Sequence, residues 1–106
     1  MIEDIWRGVE KLDAYFEDEI WSANINLDEL QIESRYYCTL SQLFGSYEEG
    51  LRLLEITLEE AHLYGFDASP NIDRYEQDQE YYDLTILWKR KIQQIREEYA
   101  LVRTPA

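Results

Sequence analysis

The chain has 106 residues, of which 45% are hydrophobic and 14% aromatic, so it is long and apolar enough to fold around one hydrophobic core. Its 23 acidic and ten basic residues give a net charge of −13, which repels nucleic acid and anionic membranes and argues against direct binding to either. No apolar run is long enough to cross a bilayer, and the N-terminus lacks the pattern of a secretory signal. The single cysteine, Cys38, has no partner for an internal disulfide, so we expect a reducing, cytoplasmic location.

Apolar residues at spacings of three and four predict a first helix over residues 2–23. Its C-terminal half carries Glu17, Asp18 and Glu19, where the negative end of the helix dipole disfavours them. Asp13 and Glu17 are also four residues apart, a like-charge spacing that destabilises a helix by roughly 0.2–0.5 kcal/mol. Because folding does not favour these acids, we regard the four as a secondary partner-binding surface.

Two further helices are predicted in the middle of the chain. The second begins at residues 26–28 and runs to about Phe44. Ser46, with Glu49 three residues later, is the sequence form of a capping box and predicts the start of the third helix. Gly65 suits the position that ends this third helix.

The stretch GFDASPNIDRYEQDQEYYD, residues 65–83, holds six acids, three tyrosines and one base. Pro70 predicts a turn, and the fourth helix is expected to begin between Asp73 and Asp78 and to run to about Tyr99. Acids at the start of a helix and bases at its end each contribute about 0.3–1 kcal/mol through the helix dipole. Part of this acidity is therefore ordinary helix design.

These elements predict an all-α protein, a single-domain antiparallel four-helix bundle over residues 1–106. The predicted core consists of Trp6, Val9, Leu40, Leu51, Leu54, Leu58, Trp88, Ile92 and Ile95. Charge is distributed unevenly over this bundle: residues 1–83 hold 21 acids and five bases, whereas residues 84–106 hold two acids and five bases. The acidic part is expected to attract a basic protein.

The main partner-binding surface is predicted where the longest connection enters the fourth helix, because binding residues concentrate in such segments. Its members are Asp73, Tyr75, Glu76, Asp78, Glu80, Tyr82 and Asp83. Tyrosine rings supply rigid contact area and cation–π contacts to Arg or Lys, and the carboxylates supply charge. This mixture is typical of surfaces that bind basic proteins.

Catalytic chemistry finds little support in the sequence. His62 is the only histidine, and Cys38 lies within a helical pattern without a second histidine to activate it. The chain also lacks a glycine-rich phosphate loop and the paired carboxylate motifs of helical metal enzymes. We therefore expect no enzyme activity, no catalytic residues and no cofactor.

A calcium loop over residues 67–78 is a further alternative, although the preferred prediction contains no metal ligand. Oxygen-bearing side chains stand at positions 1, 3, 5 and 12 of a twelve-residue loop; they are Asp67, Ser69, Asn71 and Asp78. Ile72 replaces the glycine expected at position 6, and Arg74 replaces an apolar residue. A turn followed by an acidic helix start accounts for the same residues.

The segments Leu63-Tyr64-Gly65 and Ser69-Pro70-Asn71-Ile72 are similar to a stretch of the colicin D immunity family. The size, acidity and tyrosine content also resemble those of bacterial immunity proteins that neutralise nuclease toxins. The resemblance implies that carboxylates occlude a basic site which otherwise holds nucleic-acid phosphates. Viral inhibitors that imitate DNA share this composition, so immunity and anti-defence proteins are both implied.

The leading functional prediction is thus an inhibitor of a basic partner, a nuclease or another nucleic-acid-binding protein. The alternative is a structural or regulatory adaptor that forms homo-oligomers through aromatic residues outside the core stripes. A calcium-binding protein is the third class.

Overall fold

The computed structural model describes residues 1–103, and the regular structure of this range is entirely helical, which confirms the all-α prediction. The α-helices are α1 (Ile2–Tyr15), α2 (Thr39–Phe44), α3 (Tyr47–Leu53) and α4 (Arg74–Arg103). Two short 3-10 helices cover Trp21–Asn24 and Leu58–Tyr64. One cluster of buried apolar side chains connects these elements.

Helix α1 begins as predicted but ends at Tyr15, so the predicted end at residue 23 is wrong. Its last turn contains no basic residue, and Glu17, Asp18 and Glu19 follow in a non-helical turn. Acidic side chains at a helix C-terminus are repelled by the negative end of the dipole. Continuing the helix would also fix Asp13 and Glu17 at the unfavourable like-charge spacing of four residues, and the chain leaves the helix before Glu17.

Helix α2 begins at Thr39, so the predicted start at residues 26–28 is wrong. Polar side chains in the preceding segment bond to nearby backbone groups instead. Asn26 Oδ1, for example, accepts from the backbone N–H groups of Asp28 at 3.0 Å and Glu29 at 3.3 Å. Such local hydrogen bonds offer the backbone an alternative to helix, and here the alternative prevails.

Two boundaries predicted from local chemistry are confirmed. Helix α2 ends at Phe44, and Gly45 follows in the left-handed conformation with φ of 92°. Ser46 then caps α3, because its Oγ accepts from the backbone N–H of Glu49 at 3.1 Å. Caps are read well from sequence because they depend on residues only a few positions apart.

Helix α3 ends at Leu53, so the single helix predicted to continue to Gly65 is wrong. Glu55 has φ of 59°, which breaks the helical path. A second capping box follows: Thr57 Oγ1 accepts from the Glu60 N–H at 3.2 Å, and the Glu60 carboxylate accepts from the Thr57 N–H at 3.1 Å. This cap starts the second 3-10 helix, which ends at Gly65 with φ of 73°.

Helix α4 begins at Arg74, inside the predicted interval of residues 73–78, and continues to Arg103. Asp73 caps it, because its Oδ1 accepts from the backbone N–H of Glu76 at 2.8 Å. With 30 residues α4 is the longest element, and at about 1.5 Å per residue it spans most of the 51 Å long axis.

Trp88 of α4 is the centre of the core. Its side chain is fully buried, its Nε1–H donates to the carbonyl oxygen of Gly65 at 2.7 Å, and its ring stacks on Phe66 at 5.5 Å. Gly8 of α1 lies against the same ring: a Cβ there would lie 3.0 Å from it and would clash with the carbonyl oxygen of Tyr64. Helix α1, the second 3-10 helix and α4 therefore meet at Trp88.

Arg96 connects the other 3-10 helix to α4. Its guanidinium donates to the carbonyl oxygen of Ser22 at 2.9 and 3.0 Å and also to that of Ile25. These carbonyls lie at the C-terminal end of Trp21–Asn24, where a helix leaves acceptors unsatisfied. Arg96 is thus a structural residue, although it belongs to the basic part of the chain.

Most of the predicted core is confirmed as buried, namely Val9, Leu40, Leu51, Leu54, Trp88, Ile92 and Ile95. The predictions for Trp6 and Leu58 are wrong, because their side chains are 55% and 64% exposed. Trp6 lies at the edge of the buried face of α1, and the Lys91 ammonium lies 5.5 Å from the centre of its ring. Leu58 stands in the first turn of a 3-10 helix that buries Ala61 instead.

Leu54 and Leu58 form a matched pair for testing this core. Leu54→Ala should lower the free energy of unfolding by about 2–5 kcal/mol, because it opens a cavity at a buried site. Leu58→Ala removes the same atoms from an exposed site and should cost less than about 0.5 kcal/mol. Urea denaturation of both variants measures the two values, and similar losses would contradict the assignment.

Candidate functional site

The first turns of α4 present two tyrosine rings to solvent. Tyr75 and Tyr82 are 81% and 64% exposed. They are seven residues apart, or about two helical turns, and therefore share one face of the helix with Asp78 between them. Glu76 is also exposed, on an adjoining side of the same turns, because residues two apart in a helix do not face each other. We call Tyr75, Glu76, Asp78 and Tyr82 the tyrosine–carboxylate face.

The other predicted members of this surface have structural hydrogen bonds. Asp73 caps α4, as described above. Glu80 Oε1 accepts from the Ser69 N–H at 2.8 Å and from the Ser69 hydroxyl at 2.6 Å, and so ties the preceding loop to α4. Asp83 is half-buried and accepts from the Gln79 side-chain amide at 3.3 Å. The predicted site is contiguous, but its acids have two different roles.

The predicted secondary surface is also divided. Asp13 Oδ1 accepts from the Trp21 indole N–H at 2.8 Å, so this acid fixes the segment that follows α1. Glu17, Asp18 and Glu19 are exposed in that segment. Only these three acids are free to meet a partner.

Asp67, which lies outside the predicted site, is the most highly connected acid of the loop. Its Oδ1 accepts from the hydroxyl of Tyr81 and from the backbone N–H of Ala68 at 2.9 Å. Its Oδ2 accepts from the hydroxyl of Tyr47 at 3.2 Å. The carboxylate therefore joins the loop to both α3 and α4.

Burial raises the pKa of the Tyr47 and Tyr81 phenols well above its usual value, and the adjacent Asp67 carboxylate raises it further. Both phenols therefore stay protonated and donate to Asp67 at any physiological pH. This cluster is not predictable from the sequence, because residues 47, 67 and 81 come together only through tertiary packing. The tyrosine-rich composition was the one available signal.

A cavity of about 170 Å³ adjoins these three residues, and we call it the Asp67 pocket. Buried Cys38 and Phe66 contribute apolar surface to it, and the exposed acids Glu33 and Glu48 also line it. The pocket thus combines apolar surface with hydrogen-bond acceptors. Cys38, Phe66, Glu33 and Glu48 do not belong to the partner-binding site predicted from sequence.

The calcium alternative meets a specific geometric difficulty. A cation at position 1 of the loop would compete with the hydroxyls of Tyr47 and Tyr81 for the oxygens of Asp67. Within residues 1–103, no three His, Cys, Asp or Glu residues are grouped so that they could hold a metal ion.

Most acidic side chains have no cationic partner in the described part of the chain. The ion pairs found there join the N-terminal amine and Arg7 to Asp4, and Arg52 to Glu49. The carboxylates of the tyrosine–carboxylate face and of the Asp67 pocket have no ion pair with any described residue. Their charge is therefore available to an external cation.

Cys38, one of the residues considered for catalysis, has a structural role. Cys38 is buried and caps α2, and its thiol contacts the Ser41 hydroxyl at 3.3 Å.

Among the described helices, none combines the length and the apolar character required to cross a membrane. Comparisons with family models, with curated proteins and with solved structures find no match.

Alkaline unfolding tests the phenol–carboxylate cluster. The folded-state pKa of Tyr47 and Tyr81 is raised above the unfolded value of about 10, so the unfolded chain loses these protons first as the pH rises. The stability contributed by the two phenols is thus complete below pH ~10 and is lost above it. We expect the free energy of unfolding, measured with urea, to fall as the pH rises above this value.

The double variant Tyr47→Phe/Tyr81→Phe should show a shallower loss of stability with pH, because its unfolded chain has two fewer of these phenols to ionise. Tyr75→Phe/Tyr82→Phe is the matched control, since both rings are exposed and should not alter the slope. Identical slopes in the two double variants would count against the cluster.

Proposed function

We propose that the protein is an acidic inhibitor that neutralises a basic, nucleic-acid-handling protein by covering its binding site with carboxylates. Such a protein serves as an immunity or anti-defence protein. The observation that carries this proposal is the tyrosine–carboxylate face: two exposed rings and two exposed acids on one rigid helix, without internal cationic partners. A partner evolved to bind phosphates offers the complementary charge.

The physical chemistry of this face suits such a partner. Carboxylates without internal ion pairs steer a basic protein and accelerate its association, most strongly at low salt. Rings of Tyr75 and Tyr82 add rigid contact area and a negative π-face for Arg or Lys. Because both residue types stand on a regular helix, little conformational entropy is lost when the partner binds.

The structural acids support this role indirectly. Asp73 caps the helix and Glu80 holds Ser69, so both fix the position of the neighbouring exposed residues. Glu17, Asp18 and Glu19 supply a second acidic area of the proposed contact. We also propose that α1 to α4 form an antiparallel four-helix bundle and that the protein is cytoplasmic.

A homo-oligomeric adaptor is the second candidate, and one observation favours it. Trp6 is 55% exposed, and nearby residues of α1 and α4, including Val9, Ile95 and Tyr99, line a groove of about 370 Å³. Large exposed apolar residues beside a groove mark many protein contacts.

Light scattering tests this candidate: a dimer that Trp6→Ser converts to a monomer would favour it.

Charge reversal tests the leading proposal on the partner captured from the source cell. Glu76→Lys/Asp78→Lys should weaken its binding by roughly tenfold or more, mainly through slower association. The wild-type affinity should also fall steeply with salt, because exposed charges are screened. Surface plasmon resonance across a salt series measures both effects.

Glu17→Lys/Asp18→Lys is the control with the same change in net charge, and we expect a smaller loss from it. Circular dichroism should show both variants folded, because none of the four side chains forms a described hydrogen bond or ion pair. Equal losses, or an affinity independent of salt, would refute the proposed binding face.

A further inference from the structure

The polar part of the Asp67 pocket consists largely of groups that accept hydrogen bonds. A carboxylate offers about four acceptor positions, and Asp67 uses three of them for Tyr47, Tyr81 and the N–H of Ala68. Each phenol donates its only proton to Asp67, and the Tyr81 oxygen also interacts with the N–H of Ala68. The cluster therefore presents a fourth carboxylate position and the Tyr47 oxygen as unused acceptors.

The charges around the pocket are also unbalanced. Glu33, Glu48 and Asp67 contribute three carboxylates, and the one cation among the lining residues is Arg35. The Arg35 guanidinium lies over the ring of Tyr36, 6.0 Å from its centre, and forms no ion pair with a described residue. A cation of suitable shape would thus meet net negative charge.

The apolar part of the pocket restricts the shape of that cation. Cys38 and Phe66 are 3% exposed and form the apolar side of a space of about 170 Å³. This side suits methylene groups, whereas the phenols, Asp67 and the two exposed glutamates suit a planar group with several N–H donors. A guanidinium has five donors and no acceptor.

We propose that the Asp67 pocket binds the side chain of an arginine supplied by the protein partner. This inference rests on the proposed function and adds to it a specific anchoring site. The pocket shares Tyr81 with α4, next to Tyr82 of the tyrosine–carboxylate face, so one partner can contact both. Exposed acids then attract the partner, and the pocket selects one of its arginines.

The isolated amino acid tests the pocket without the partner. N-acetyl-arginine amide carries one guanidinium and no other charge, and N-acetyl-citrulline amide is its neutral counterpart of nearly the same shape. In a titration followed by ¹H–¹⁵N NMR, the arginine compound should cause saturable shifts at the amides of Ala68 and Glu48. The citrulline compound should cause none, and saturable shifts with both compounds or with neither would overturn the proposal.

N-acetyl-lysine amide tests whether the pocket binds a guanidinium more tightly than an ammonium. It carries the same charge on a compact ammonium, which lacks the planar fork of donors. We expect it to bind at least about threefold more weakly, and equal affinity would overturn the assignment to a guanidinium.

Two double variants test whether the arginine compound binds at the Asp67 pocket. Glu33→Gln/Glu48→Gln should weaken the arginine compound by at least about threefold, because it removes two exposed charges at the pocket. Glu3→Gln/Glu29→Gln changes the net charge equally at exposed sites outside it and should leave the affinity unchanged. Equal weakening by the two variants would overturn the proposal.

The outcomes also separate this inference from the proposed function. Binding of the captured partner without any binding of the arginine compound would leave the inhibitor proposal standing and remove the pocket. Arginine binding in a protein for which no basic partner is captured would do the reverse.

Discussion

The hydrogen bond from the Trp88 indole to the carbonyl oxygen of Gly65 is the contact on which the rest of the structure depends. Trp88 is the largest side chain of α4 and is fully buried, and this hydrogen bond satisfies its one polar atom, Nε1, in the core. Gly65 offers that carbonyl because it ends the 3-10 helix in the left-handed conformation, which glycine adopts without steric cost. Gly8 must be equally small, because α1 passes directly over the Trp88 ring.

This contact also determines where the loop to α4 begins. Phe66 stacks on Trp88, and the next residue, Asp67, is thereby brought between Tyr47 and Tyr81. From Asp67 onward the acids of the loop and of the first turns of α4 fall into two groups with different roles. Asp67, Asp73 and Glu80 hold the loop and the start of α4 through hydrogen bonds, whereas Glu76 and Asp78 do not. The unusual acidity of residues 65–83 therefore has a structural part and a part available for binding.

Features that a few neighbouring residues determine were predicted correctly from the sequence. The all-helical class, the cap at Ser46, the end at Gly45 and the start of α4 all depend on such local chemistry. The predicted helix over residues 26–38 was wrong because two local tendencies competed there. The spacing of the apolar residues suggested a helix, whereas the polar side chains favoured turns. Periodicity also does not determine which edge of a stripe is buried, and Trp6 was misplaced for that reason.

The two parts of the candidate site also differ in how far they can be predicted from the sequence. The exposed tyrosines and acids of α4 are contiguous in sequence and could be proposed from composition alone. The Asp67 pocket could not, because residues 32–35, 38, 47–48, 66–67 and 81 come from distant parts of the chain and meet only after the core has formed. Packing against Trp88 is therefore what converts a diffuse acidic composition into one specific arrangement of acceptors.

Burial also gives the two parts of the site different electrostatics. Charges on the exposed face are screened over a Debye length of about 10 Å at 0.1 M salt, so they act mainly on the rate of encounter. Asp67 is half-buried beside two desolvated phenols, where a bound cation is screened much less. Salt should therefore slow association with the face more than it accelerates release from the pocket. A chain with a net charge of −13 can in this way attract many basic surfaces and still retain only those with a suitably placed arginine.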